Sequence, residues 1–200
     1  MIGLLSLQNV NLESHVEILK NIPGLNWTPG ISSFLQQKSP AELERLFKPN
    51  NSQLMRRPNT FKQSISSDVP DFLDWSKSNP HCVDVIRDMK NCGTSQVFAS
   101  TSVLSDLRCI KKLDSNRVQY SEQFVINCNQ NGNGCGQVQD HFIPEFLIEF
   151  GSVSESCQQL KSNEIGKGFK CSYKCDDGST PIYAKIKEYK EISYQDMKCK

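Results

Sequence analysis

The sequence predicts a mainly helical, disulfide-linked domain preceded by a small helical segment. Three observations predict it. All nine cysteines lie from Cys82 onward, which divides the chain into a cysteine-free first third and a cysteine-rich remainder. Apolar residues recur at helical spacing in both parts. A polar stretch from Pro49 to Ser67, with Arg56-Arg57-Pro58 and a Ser-rich end, reads as a linker between them.

The first part holds two helix signatures. In Asn11 to Ile22, Val16, Leu19 and Ile22 fall on one face, and Pro23-Gly24 stops the helix. Asn26 to Gly30 is a loop carrying Trp27. Ser39-Pro40-Ala41-Glu42 then combines an N-cap serine, a first-turn proline and a glutamate three residues after the serine. Leu43, Leu46 and Phe47 supply that helix with its apolar face. Two such helices bury little core by themselves. Asn26-Trp27-Thr28 and Asn50-Asn51-Ser52 fit the glycosylation acceptor pattern, a weak signal in each case.

In the second part, Gln96 to Lys112 reads as a central helix. Its buried stripe is expected to be Val97, Thr101, Leu104, Leu107 or Arg108, and Ile110. Tyr120 to Cys128 is a helix capped by Ser121. Asn129 to Gly136 is a turn cluster. Phe142 to Phe150 is an apolar helix with Pro144 near its start. Gly151 to Cys157 follows, where the resemblance given below implies a strand-and-loop exit.

Composition narrows the function. There are 23 Lys and Arg against 22 Asp and Glu, for a net charge of +1. Nothing argues for a nucleic-acid partner or an anionic membrane surface, both of which favour clustered cations. No apolar run approaches the ~20 residues of a membrane span. Met1 to Leu7 has an apolar core shorter than usual and no basic start, so a signal peptide is expected to be incomplete or missing. Nine cysteines fit either zinc or redox chemistry in a reducing compartment, or disulfides in an oxidising one. Disulfides are favoured, because paired C-x2-C motifs are lacking and there are only three histidines. No metal site and no cofactor are expected. Cys171 and Cys175 have no nearby neighbours to complete four zinc ligands.

The stretch that organises the chain is Asn91-Cys92-Gly93-Thr94-Ser95-Gln96. It resembles the C-G-[SA]-C-[WY] nucleophile motif of papain and cathepsin enzymes, with Ser95 in place of the reactive cysteine and Gln96 in place of the aromatic residue. Val69 to Trp75 resembles the start of a mature enzyme of that family. Cys82, Ile86, Arg87, Asp88 and Cys92 are placed as in cathepsin B, as are Cys171 and Cys175 with the acidic-Gly turn after them. Tyr120 to Cys128 resembles the family's Ser-Glu-Gln helix, and the first part resembles its prosegment.

The resemblance implies an α+β papain-like fold, truncated to its mainly helical left-hand half. Residues 1–67 correspond to a prosegment and linker, and 68–200 to a partial peptidase domain lacking the β-rich half. It also implies four disulfides, Cys82–Cys109, Cys92–Cys135, Cys128–Cys171 and Cys157–Cys175, and leaves Cys199 free. Spacing alone does not choose this pairing.

The same resemblance assigns the site. Ser95 takes the nucleophile position. Met89 takes the position of the oxyanion glutamine, and a thioether cannot donate a hydrogen bond. Gly136, Gln137 and Val138 stand where the family's cleft glycines pair with substrate, and the two larger side chains are expected to crowd it. In the family the histidine lies ~130 residues or more after the nucleophile. The chain as given stops at Lys200, short of that and of the catalytic asparagine, and His15, His81 and His141 are misplaced for the role. The expectation is an inactive cathepsin B-like homologue that binds a peptide or protein partner. Its secretory-pathway location would be lysosome- or vacuole-like, or extracellular. A half-fold exposes apolar surface and is expected to self-associate through it. The other expectation is an active endopeptidase whose remaining half lies outside this sequence.

Overall fold

The computed structural model describes residues 12–47, 72–83, 86–129, 134–136, 138 and 141–189. They hold eight helices: α1 (Leu12–Lys20), α2 (Ser33–Gln36), α3 (Pro40–Phe47), α4 (Trp75–Ser78), α5 (Ser95–Ile110), α6 (Glu122–Cys128), α7 (Phe142–Glu149) and α8 (Ser162–Ile165). The chain divides into two compact units, Met1–Lys48 and Pro49–Lys200. The linker 49–67 and its expected boundary at 67/68 lie outside the described residues, as do Asn50 and Cys199.

In the first unit, α1 turns Leu12, Val16 and Leu19 inward as a half-buried stripe. The helix ends at Lys20, so Ile22 lies beyond it and is exposed rather than on its face. The start of α3 is a capping box. Glu42 accepts a hydrogen bond from the Ser39 amide at 2.9 Å, and the Ser39 hydroxyl accepts from the Glu42 amide at 3.4 Å. The Ser39 amide, together with the Ser39 hydroxyl donating to the same carboxylate oxygen at 2.7 Å, holds the Glu42 carboxyl below its ordinary pKa. α2 was not foreseen in the sequence. It is a single turn in which the Ser32 hydroxyl accepts from the Leu35 amide.

The second unit is built on α5, against which α6 and α7 pack. Val97, Phe98 and Leu104 of α5 meet Phe124, Val125 and Ile126 of α6 and Ile143, Phe146 and Leu147 of α7. The buried face of α5 is Val97, Phe98, Thr101, Leu104, Ser105 and Cys109. Leu107 was expected there but is 44% exposed, and Ile110 is only half-buried. The seam follows small residues instead, because their hydroxyls bond back into the helix. Thr101 donates to the Val97 carbonyl and Ser105 to the Thr101 carbonyl, each at 2.9 Å.

Ser121 caps α6 as expected. Its hydroxyl accepts from the Phe124 amide at 3.0 Å and donates to the Gln158 carbonyl at 2.7 Å. Both bonds are buried, so Ser121→Ala is expected to cost about 1–2 kcal/mol, read as a lower denaturant midpoint with unchanged slope. Pro144 is the third residue of α7, where its missing N–H would have had no helical partner. The expected strand after α7 is reduced to two isolated antiparallel bridges, Tyr120 with Ser154 and Ser152 with Ala184.

Four disulfides join Cys82 to Cys109, Cys92 to Cys135, Cys128 to Cys171 and Cys157 to Cys175. They fasten the turn after α4 to the end of α5, and the end of α6 to the loop beyond α8.

Candidate functional site

Ser95 is the first residue of α5 and is exposed. Its hydroxyl donates to the Gln96 side-chain oxygen at 3.3 Å. The preceding Thr94 is buried at the cap position, but its hydroxyl turns back to the Cys92 carbonyl instead of capping the helix.

Before it runs a tight strap, Asp88 to Asn91. The Cys92 amide donates to the Met89 carbonyl at 2.9 Å, and the Lys90 amide donates to the Asp88 carboxylate at 2.8 Å. Lys90 has φ 42°, a left-handed conformation that a side chain rarely adopts. Its ammonium pairs with Glu164, which helps hold that conformation. α8 braces the strap further. The Asn91 amide donates to the Asn163 carbonyl at 3.0 Å, and the Asn91 side chain to the Glu164 carbonyl at 2.9 Å. Gly166, at φ 66°, lies so close that an added Cβ would fall 2.9 Å from the Asn91 carbonyl oxygen.

α8 in turn hangs on one side chain of α6. The Gln123 side-chain oxygen accepts from the Lys161 and Ser162 amides at 2.7 and 2.9 Å, and its nitrogen donates to the Ser162 hydroxyl at 2.8 Å. Hydrogen bonds therefore run from α6 through α8 to the strap that precedes Ser95. Met89 is half-buried against the apolar core.

Arg87, the residue before the strap, joins an ion cluster around the buried Glu122. Arg87 donates to both oxygens of Glu122, at 3.2 and 3.0 Å, and to Glu155 at 3.1 Å. Glu122 is 0% exposed and also accepts from the Gln119 side chain at 3.0 Å. Burial pushes the Glu122 carboxyl above its ordinary pKa even with Arg87 beside it. In the sequence the Ser-Glu-Gln run is legible only as a capped helix, and this cluster was missed. The signal was a lone acid, Glu122, amid Tyr120, Phe124, Val125 and Ile126, because a charge inside an apolar helix requires a partner.

The histidines of the second unit, His81 and His141, stand in elements other than the one that carries Ser95. His141 is the cap residue of α7 with its ring 4.2 Å from that of Phe142, His81 lies in the turn after α4, and His15 belongs to α1. Within the second unit neither His81 nor His141 is hydrogen-bonded to Ser95. Gly136 is half-buried and Val138 lies in the hydrophobic core, while Gln137 is outside the described residues. Among the described residues of this turn, Gly134 makes a glycine-dependent approach. It has φ 74° and a backbone so close to Gly168 that an added Cβ would fall 2.9 Å from the Gly168 nitrogen.

His81, Cys82 and Cys109 bring three metal-type donor atoms within 4.8 Å of one another. The two sulfurs are joined to each other, so neither is a thiolate ligand. Cys171 and Cys175 likewise belong to separate bridges.

Residues 69–200 match the family described as papain family cysteine protease. Cathepsin B-like CP2 of Giardia intestinalis is 29% identical over 183 residues, covering 88% of this chain and 60% of that protein. Cathepsin B-like CP3 of the same organism is 29% identical over 167 residues, covering 82% and 56%. Among solved structures, procathepsin B S9 from Trypanosoma congolense superposes with TM-score 0.71 at 20% identity, covering 88% of this chain and 62% of that one. A mite allergen structure, from work on Blo t 1 and Der p 1, gives 0.64 at 21% identity, covering 92% and 58%. The chain spans about three-fifths of the length of these relatives.

Proposed function

The chain belongs to the papain family of cysteine proteases, alongside its cathepsin B-like members, and we propose that it is a catalytically silent homologue that acts by binding a peptide or protein. The observation that carries this reading is Ser95 at the nucleophile position, with its side-chain hydroxyl bonded to Gln96. A papain-type attack needs a thiolate made by a neighbouring imidazolium. A serine hydroxyl has a far higher pKa and needs a well-placed base. Met89 adds a second, independent loss, because its thioether cannot stabilise an oxyanion. The strap and its bracing are nevertheless complete, which supports a retained binding surface. The four disulfides support a secretory, oxidising compartment.

The test is peptide hydrolysis by the native protein, by Ser95→Ala and by Ser95→Cys. All three are expected to be silent. Native turnover that Ser95→Ala abolishes overturns the proposal. Turnover by Ser95→Cys with a silent native protein would leave the native chain silent and overturn only the expectation that no base reaches position 95. Native turnover favours the second reading, an active endopeptidase of greater length. Coverage of only three-fifths of the relatives is the observation behind that reading.

A further inference from the structure

Charge is balanced over the whole chain but not along the loop that follows α8. Residues 165–175 hold Lys167, Lys170 and Lys174 and no acid. All three lysines are exposed, and among the described residues none has a partner for its ammonium. The flanking acids are engaged elsewhere. Glu164 pairs with Lys90, Asp176 pairs with Lys161 at 2.9 Å, and Asp177 accepts from the Ser179 amide at 2.8 Å. Two aromatic rings lie between the lysines, Phe169 at 44% and Tyr173 at 57% exposure.

The loop is a fixed platform. The Phe169 amide donates to the Asn127 side chain at 2.8 Å. The Gln158 side chain donates to the Ser172 and Lys174 carbonyls at 2.9 and 2.8 Å. Cys171 and Cys175 are bridged to Cys128 and Cys157. A backbone already ordered loses little freedom when a ligand docks. Three uncompensated ammoniums are stable in water or against anions, and an apolar partner would desolvate them with nothing in return.

Sulfated polysaccharide, nucleic acid and an anionic bilayer all offer anions, and the loop discriminates among them. Residues 161–188 contain no arginine, the residue whose planar fork matches phosphate. Tyr173 packs edge-on against the buried Phe124, with ring centroids 6.3 Å apart. It therefore lies along the surface instead of projecting to bilayer depth. The negative face of an aromatic ring suits the C–H face of a sugar. The four disulfides belong to an oxidising compartment, where nucleic acid is not the usual polyanion. From these features we infer that residues 167–174 form a docking surface for a sulfated polysaccharide, with the three ammoniums on its sulfates and Phe169 and Tyr173 against its sugar rings. The inference holds whether or not the chain cleaves peptides.

Fluorescence anisotropy with a labelled heparin dodecasaccharide tests it. The native protein is expected to bind at about 50 mM salt and to lose about twentyfold in affinity by about 200 mM, as counterion release from three contacts implies. The triple variant Lys167→Gln, Lys170→Gln, Lys174→Gln is expected to bind at least ~tenfold more weakly, with a flatter salt dependence. The three side chains are exposed, so its circular dichroism should match the native spectrum. A control variant, Lys77→Gln, Lys111→Gln, Lys112→Gln, removes the same charge from exposed positions elsewhere and is expected to bind like the native protein. No binding by the native protein at the lower salt overturns the inference. So does affinity that the loop variant leaves unchanged, or an equal loss in both variants. Single-stranded DNA or phosphatidylserine vesicles bound as tightly as heparin also overturn it, and assign the loop to nucleic acid or to a membrane.

Discussion

Arg87→Met is expected to destabilise the second unit by about 3–5 kcal/mol at neutral pH, because it strands a buried carboxylate without its cation. Against a typical total stability of roughly 5–15 kcal/mol, that is enough to leave a marginal domain largely unfolded. Glu122 is fully buried, and removing the guanidinium deletes three of the hydrogen bonds in the cluster. The Gln119 amide and the Leu160 amide remain as donors to Glu122 and Glu155, but neither carries charge.

The loss should depend on pH with a definite sign. The folded-state pKa of Glu122 is raised above its ordinary 4.5, chiefly by burial. The stability gained from the protonated form is therefore fully present below 4.5 and is lost as pH rises through the higher folded value. Deleting Arg87 raises that folded value further. The deficit of Arg87→Met should then be largest near neutrality and shrink towards pH 4.5, in urea melts at several pH values. The double variant Arg87→Met with Glu122→Gln should recover most of the loss, since a neutral amide needs no counter-ion. An equal deficit at every pH would contradict this account.

Full reduction is expected to be as damaging. The four bridges close loops of 27, 43, 43 and 18 residues, and each such loop contributes about 3–4 kcal/mol in the chain-entropy treatment. Together they match or exceed the usual stability of a domain this size. Reduced protein should lose the circular dichroism of α5, α6 and α7 and become protease-sensitive from Cys82 to Cys175. Residues 12–47 contain no cysteine, so their helices have no bridge to lose. Hydrogen exchange with and without reductant checks both regions. Unchanged protection between α5 and α7 after complete reduction would show that the apolar core suffices alone.

Much of the architecture was legible where local chemistry decides it. Ser39 with Glu42, and Ser121 before an apolar run, are helix starts because their side chains satisfy particular amides. Pro144 was legible as a residue near a helix start. The four cystine pairs became readable only through the family resemblance, since cysteine spacing permits many pairings. The misreadings have physical causes. Leu107 looks like a core residue by hydropathy, but Ser105 and Cys109 occupy the seam, because self-bonded hydroxyls and a disulfide sulfur bury at little cost. Gly134 was not singled out, because what sets it apart is a left-handed backbone that the sequence does not display. Arg87, Glu155 and Gln119 come to Glu122 from separate places in the chain, and no local pattern announces such a meeting. At the site, the identity of Ser95 and Met89 was plain in the sequence. The bracing through Gln123, Lys90 and Gly166 was not, since it depends on α8 lying against the strap.

The bridges also overlap one another along the chain. The span from Cys82 to Cys109 overlaps that from Cys92 to Cys135, which overlaps Cys128 to Cys171, which overlaps Cys157 to Cys175. Every peptide bond between Cys82 and Cys175 therefore lies inside at least one closed loop. A single proteolytic nick anywhere in that stretch releases no fragment. It adds one water to the mass and leaves one covalent molecule, whose pieces separate only once thiols are restored.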